Sequence, residues 1–109
     1  MSVFNKYLLT KDSSVRRRIE IDVSLYEQLA DLASNVYDAS INKLVNIALI
    51  ELINTEKVEI YKRKDGEFTE SHNFLIRSST YKELEKLKDK YGLSIYKLVN
   101  IAIYNALNS

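Results

Sequence analysis

Polar and apolar residues alternate from Arg18 to Ile21, the period of a short strand with one buried face. The rhythm then changes. Leu25, Leu29, Leu32, Ala33 and Val36 recur at spacings of three and four, which puts them on one face of a helix. Ser24-Leu25-Tyr26-Glu27 has the form of a capping box, in which a serine hydroxyl and a glutamate satisfy free amide donors and open that helix. Asp38 tolerates left-handed backbone and marks a turn, and Ser40 is a good N-cap for a second helix. In that helix Ile41, Leu44, Val45, Ala48, Leu49 and Leu52 form one stripe, widened by Ile47, Ile50 and Ile53. A helix apolar around so much of its circumference is expected to be buried.

The chain then says the same thing again. Residues 94–103 (SIYKLVNIAI) match residues 40–49 (SINKLVNIAL) at eight of ten positions. Upstream, residues 81–87 lie over 26–32 once one residue of slip is allowed before the decamer, where a turn tolerates a length change best. Phe74, Leu75 and Ile76 then fall over Ile19, Glu20 and Ile21, with Phe74 and Ile76 in phase and the alternation broken at Leu75. Leu84, Leu87 and Tyr91 repeat the first helix face, and Gly92 is a natural helix stop where the first copy has Asp38. After the Ser94 cap, Ile95, Leu98, Val99, Ala102, Ile103 and Ala106 repeat the second stripe. A unit of about forty residues rarely buries enough surface to fold alone. The decamer therefore reads as shared core.

Composition narrows the chemistry. A chain of 109 residues, 46% hydrophobic, fits one compact domain. Without cysteine it has no disulfide or thiolate chemistry, and a reducing, cytoplasmic compartment is expected. No apolar run reaches membrane-span length and no signal-peptide pattern opens the chain, so no membrane partner is expected. The net charge of +1 exerts no global pull on polyanions, so such binding has to come from local placement of charge. One histidine, His72, and no cysteine make no zinc set, and His72 reads as a strand residue. Gly66 and Gly92 make no phosphate-binding glycine loop. No nucleophile and base are placed together by position, so neither an enzyme nor a cofactor is expected.

A strand opened by Arg16-Arg17-Arg18, a helix, a turn and a serine-capped second helix resemble the ribbon-helix-helix family of MetJ/Arc/CopG-type DNA-binding proteins. The resemblance covers residues 16–55 and 71–109, each as one motif. In that family two copies interlock, their strands pairing into a ribbon and their four helices sharing a core. The resemblance implies a mainly α domain with a two-stranded antiparallel ribbon, the two motifs of one chain forming a pseudo-dimer. Tandem members of this kind are carried by plasmids and archaeal viruses. It also implies double-stranded DNA as partner, with the ribbon in the major groove.

With Ile19, Ile21, Phe74 and Ile76 turned inward, the opposite parity matches the base-reading positions of the family: Arg16, Arg18 and Glu20 on one strand, Ser71, Asn73 and Leu75 on the other. Arginine suits guanine, asparagine suits adenine, glutamate accepts from cytosine, and leucine meets a thymine methyl. An outward Leu75 has reason to be covered, because exposed aliphatic residues on a strand invite aggregation. The starts of the second helices are the implied phosphate seats: Ser40, Ile41, Asn42 and Lys43 in one copy, Ser94, Ile95, Tyr96 and Lys97 in the other.

The remaining segments have less pattern. Residues 1–15 show no clear period and are expected to be an N-terminal arm, with Lys6 and Lys11 as its basic residues. Residues 56–70 link the motifs, and Asp65-Gly66 between alternating stretches suggests a small hairpin. The expected function is sequence-specific transcription regulation, by a repressor that also activates at some promoters by position. The alternatives are an accessory or architectural DNA binder of a plasmid transfer or partition system, and an antitoxin, for which the arm and linker are short. Family members often occupy adjacent sites, so self-association of neighbouring molecules on DNA is expected, with the eight tyrosines and the arm as contact residues. If the chain is viral, its compartment is the host cytoplasm.

Overall fold

The structure is a computed structural model in which residues 13–109 are described. Residues 1–12 of the expected arm, including Lys6 and Lys11, lie outside the described residues. The order is β1 (Ser14–Asp22), α1 (Val23–Asn35), α2 (Ile41–Thr55), β2 (Thr69–Arg77), α3 (Ser78–Tyr91) and α4 (Ile95–Leu107). Strand, helix, helix occurs twice, as the repeat predicts.

The two strands pair antiparallel along their full nine-residue lengths, from Ser14 opposite Arg77 to Asp22 opposite Thr69. Each begins two residues before the expected start, so Ser14 and Val15 are ribbon rather than arm. Alternation does not reveal these residues because Arg17 breaks it. Arg17 shares the parity of Ile19 and Ile21 but stays exposed, its guanidinium 4.8 Å from the centre of the Tyr81 ring in a cation–π contact.

Each strand runs into its helix without a loop, and this overturns the expected capping box. Asp22 flanks α1 and makes no side-chain cap. Ser24 lies inside the helix, and its amide and hydroxyl both donate to Glu67 Oε1 of the linker, at 3.0 and 2.6 Å. The second-helix caps form as expected. Ser40 Oγ accepts from the Lys43 amide at 3.1 Å, and Ser94 Oγ accepts from the Lys97 amide at 3.4 Å. Asp38 and Gly92 are both left-handed, at φ 48° and 65°.

One core joins both halves. Ile19, Ile21, Phe74 and Ile76 press the inner face of the ribbon onto α2 and α4, which pack on each other through Val45, Leu49, Leu52, Leu98, Val99 and Ile103. Leu25 and Leu29 of α1 and Leu84 and Leu87 of α3 close the sides. The expected stripes need correction at five places, one of them Ala106, which is exposed near the end of α4. Val36 and Tyr91 are exposed at helix ends, and Ile47 and Ile50 are 54% and 40% exposed. Ile101, aligned with Ile47, is only 2% exposed.

The linker explains that difference. It forms a turn at Asp65-Gly66, with Gly66 at φ 76° and Glu67 N donating to Lys64 O at 3.1 Å, but it forms no hairpin ladder. It packs through side chains instead: Val58 and Tyr61 lie against the core, and Tyr61 stacks on Tyr104 with ring centres 4.5 Å apart. Asn105 Nδ2 donates to Lys57 O at 2.8 Å. The linker thus covers a face of α4 whose counterpart on α2 it leaves bare. Among the described residues no helix is long and apolar enough to cross a membrane.

Because the core draws on both repeats, cutting the chain between Asp65 and Gly66 is expected to give two fragments that are each unfolded and that regain helix on mixing. Circular dichroism of each fragment and of the mixture measures this. Helical halves that stand alone would contradict the shared core.

Candidate nucleic-acid interface

The strand register brings the six outward residues together. Arg16 faces Leu75, Arg18 faces Asn73 and Glu20 faces Ser71, forming three cross-strand pairs on the side of the ribbon away from the helices. Ser71 is half-buried and the other five are exposed, Leu75 to 45%. Arg18 and Asn73 occupy the same position in the sequence repeat, so the middle of the ribbon pairs a residue with its own counterpart. At ~3.4 Å per residue, such a nine-residue ribbon is roughly 30 Å long.

The helix starts stand at the two edges of this ribbon, held there by asparagines. Asn100 Oδ1 accepts from the Asp22 amide at 2.9 Å, and its Nδ2 donates to Glu20 O at 2.9 Å and to Tyr96 O at 2.7 Å. Asn46 occupies the same place in the first decamer and mirrors this on the other strand. Its Oδ1 accepts from the Arg77 amide at 3.3 Å, and its Nδ2 donates to Leu75 O and Asn42 O, both at 2.8 Å. A second helix of one repeat therefore closes the strand edge of the other. Both asparagines went unread in the sequence as functional residues. The signal was there: a polar residue repeated at one place in two apolar stripes.

Asn42 reinforces the first edge, with Nδ2 donating to Leu75 O at 3.0 Å and Oδ1 accepting from Leu75 N at 2.8 Å. Its side chain thus holds the ribbon, so what Asn42 offers a phosphate is its backbone amide. The Ser40 and Ser94 hydroxyls take the amides of Lys43 and Lys97. Ahead of these, Ile41, Asn42, Ile95 and Tyr96 carry the first-turn amides that helix geometry leaves without an intrahelical acceptor. Lys43, Lys97 and Tyr96 are exposed, while Ser40 is exposed and Ser94 half-buried beneath them.

The α4 edge carries extra apparatus from the linker. Asp22, almost fully buried, is paired with Arg63 at 3.0 Å and accepts from the Tyr61 hydroxyl. Burial and the adjacent Asp22 carboxylate push the Tyr61 hydroxyl above the usual phenol range. The Ser24 hydroxyl holds Glu67 below the usual carboxylate range. Asp22, Tyr61, Arg63 and Glu67 line a cleft of about 510 Å³ between the linker and the start of α4, reaching Glu20, Tyr96 and Lys97. Further from the ribbon, Glu56 is left-handed at φ 50°, and its carboxylate is lowered by Lys90 and Tyr91. No cluster of metal-ligating side chains occurs among the described residues. His72 sits within β2 opposite Ile19, stacked on Tyr26 at 3.7 Å.

The tyrosines divide by place. Tyr26, Tyr61, Tyr81 and Tyr104 pack against the core, Tyr37, Tyr91 and Tyr96 are exposed, and Tyr7 lies outside the described residues. Comparison with known proteins returns no match: no family model, curated protein or solved structure is similar to this chain.

Replacing Asn100, 5% exposed, by alanine is expected to lower stability by roughly 2–4 kcal/mol, because Asp22 N and Glu20 O are left without partners. Asn46→Ala should do less, since Asn42 still holds Leu75. Urea denaturation of both variants measures the order; equal, negligible losses would contradict it.

Proposed function

We propose that this chain is a sequence-specific double-stranded DNA-binding transcription regulator of ribbon-helix-helix type, its two repeats acting as one pseudo-dimer. The observation that carries this reading is the outer face of the ribbon, with three polar or apolar cross-strand pairs flanked on both edges by serine-capped helix starts. A major groove about 12 Å wide admits a two-stranded ribbon, and its base edges present distinguishable donor and acceptor patterns. Amides and dipoles at the helix starts favour phosphate on either side of the groove. Phosphate contacts set position and orientation, and the ribbon side chains supply sequence preference. Bound at a promoter, such a domain represses by occupying it.

The reading heads differ. Arg18 and Asn73 meet at the middle of the ribbon, while Glu20 and Leu75, which occupy matching places in the repeat, stand near opposite edges. One half of the preferred site should favour a G·C pair near Arg18, and the other an A·T pair near Asn73 and Leu75.

Binding is expected to fall steeply with salt despite the small net charge. Replacing both Lys43 and Lys97 by alanine should flatten the slope of log K against log salt by about 1.8, at about 0.9 per phosphate contact, and weaken all sequences alike. Titrations over a range of salt measure it, and a loss confined to one sequence would assign these lysines to base reading. Arg18→Ala should relax preference in one half of the site only, by roughly 1–3 kcal/mol. Selection from random duplexes decides this: a palindromic consensus, or equal relaxation of both halves, contradicts the assignment.

A further inference from the structure

The outer face of the ribbon continues past the three pairs around its middle. Ser14 faces Arg77 at one end, and Asp22 faces Thr69 at the other. Arg77 and Asp22 hold the same place in the two repeats, each the last residue of its strand and each flanking the next helix. Their charges are opposite, and so are their surroundings. Asp22 is 4% exposed, and its carboxylate is taken by Arg63 and the Tyr61 hydroxyl of the linker. Arg77 is exposed and shares the parity of Asn73 and Leu75. The helix dipole does not ask for an arginine there. The start of a helix favours an anion, which α1 receives from Asp22, whereas α3 begins behind a cation. The same inversion runs along the ribbon. Arg16, Arg17 and Arg77 gather at one end, and Glu20, Asp22 and Glu70 at the other. The net charge of +1 thus conceals a polarised ribbon.

We propose that Arg77 is a further DNA contact, clasping a backbone phosphate at the Ser14–Arg77 end of the ribbon, and that this end grips the duplex more firmly than the Asp22 end. This rests on the proposed binding of the ribbon in the major groove. Distance selects phosphate rather than base. At ~3.4 Å per residue, Arg77 stands roughly 14 Å from Asn73 at the middle of the ribbon. A ribbon cannot follow the turning groove that far, so its ends pass from the base edges to the phosphate walls. The arginine fork suits that wall, because it bonds two phosphate oxygens at once. Lys43 belongs to the same edge, since Asn46 of α2 accepts from the Arg77 amide and Asn42 holds Leu75. At the other edge Lys97 shares its cleft with Glu20, Asp22 and Glu67, whose charges oppose a phosphate.

Duplex binding by the full chain over a range of salt tests this, with neutral methylphosphonate replacing single phosphates in turn. Arg77→Ala should lower the slope of log K against log salt by about 0.9 and weaken all sequences alike. Arg77→Lys should restore the slope but only part of the affinity, because an ammonium cannot match the fork. Lys88→Ala, near the far end of α3, is the charge-matched control and should leave the slope unchanged. Neutralising the clasped phosphate should weaken the wild type severalfold and leave Arg77→Ala unaffected, at a position on the Leu75 side of the site only. An unchanged slope in Arg77→Ala, beside a salt-dependent wild type, overturns the proposal alone. A loss confined to one sequence also overturns it and makes Arg77 a base reader, and equal effects at mirror positions in both halves overturn the unequal grip. A wild type that binds no duplex overturns the proposal together with the reading it rests on.

Discussion

A two-stranded sheet has no interior strand, so each strand keeps one edge of backbone donors and acceptors unpaired. Here those edges face helices, where an unpaired amide or carbonyl costs about 1–3 kcal/mol. Asn100 and Asn46 meet that constraint with one residue type at one position of a repeated decamer, each bonding both a carbonyl and an amide of the strand beside it. Asn100 lies four residues beyond Tyr96 and Asn46 four beyond Asn42, whose carbonyls they also bond. Strand edge and helix start are thereby held as one piece. The position of the helix starts beside the ribbon is a consequence of satisfying the sheet.

The exchange also explains why the repeats depend on each other. α4 closes β1 and α2 closes β2, while the hydrophobic stripes of the two helices meet in the middle of a single core. The apolar contacts are non-directional and supply most of the stabilisation. The asparagine bonds are directional, and they set which strand each helix lies against.

Joining the repeats in one chain breaks their equivalence. The chain leaves α2 through a left-handed Glu56, a conformation that costs an L residue roughly 1–2 kcal/mol, and Lys90 and Tyr91 hold its carboxylate there. It then crosses α4, pins itself to Asp22 and Ser24, and enters β2. Near-identical decamers acquire different surfaces. The outer ribbon face is unequal as well, with arginine and glutamate on one strand answered by asparagine and leucine on the other. The backbone framework repeats while its side-chain chemistry does not.

Local sequence decided what local physics can decide. The repeat, the serine caps, the left-handed turns at Asp38 and Gly92, the parity of Ile19, Ile21, Phe74 and Ile76, and most of the two stripes were legible, because each depends on residues within about one turn or one pleat. Tertiary structure alone decided the rest. Ser24 looked like half of a capping box until Glu67, far along the chain, took its hydroxyl. Arg17 breaks the alternation of its strand, and only the fold shows that its charge lies on the Tyr81 ring. Ile47 and Ile101 carry the same letter in the same motif, and only the path of the linker buries one and leaves the other bare. Periodicity records which face of an element is apolar. It does not record what covers that face, because the covering contacts and the hydrogen bonds that direct them join residues remote in sequence.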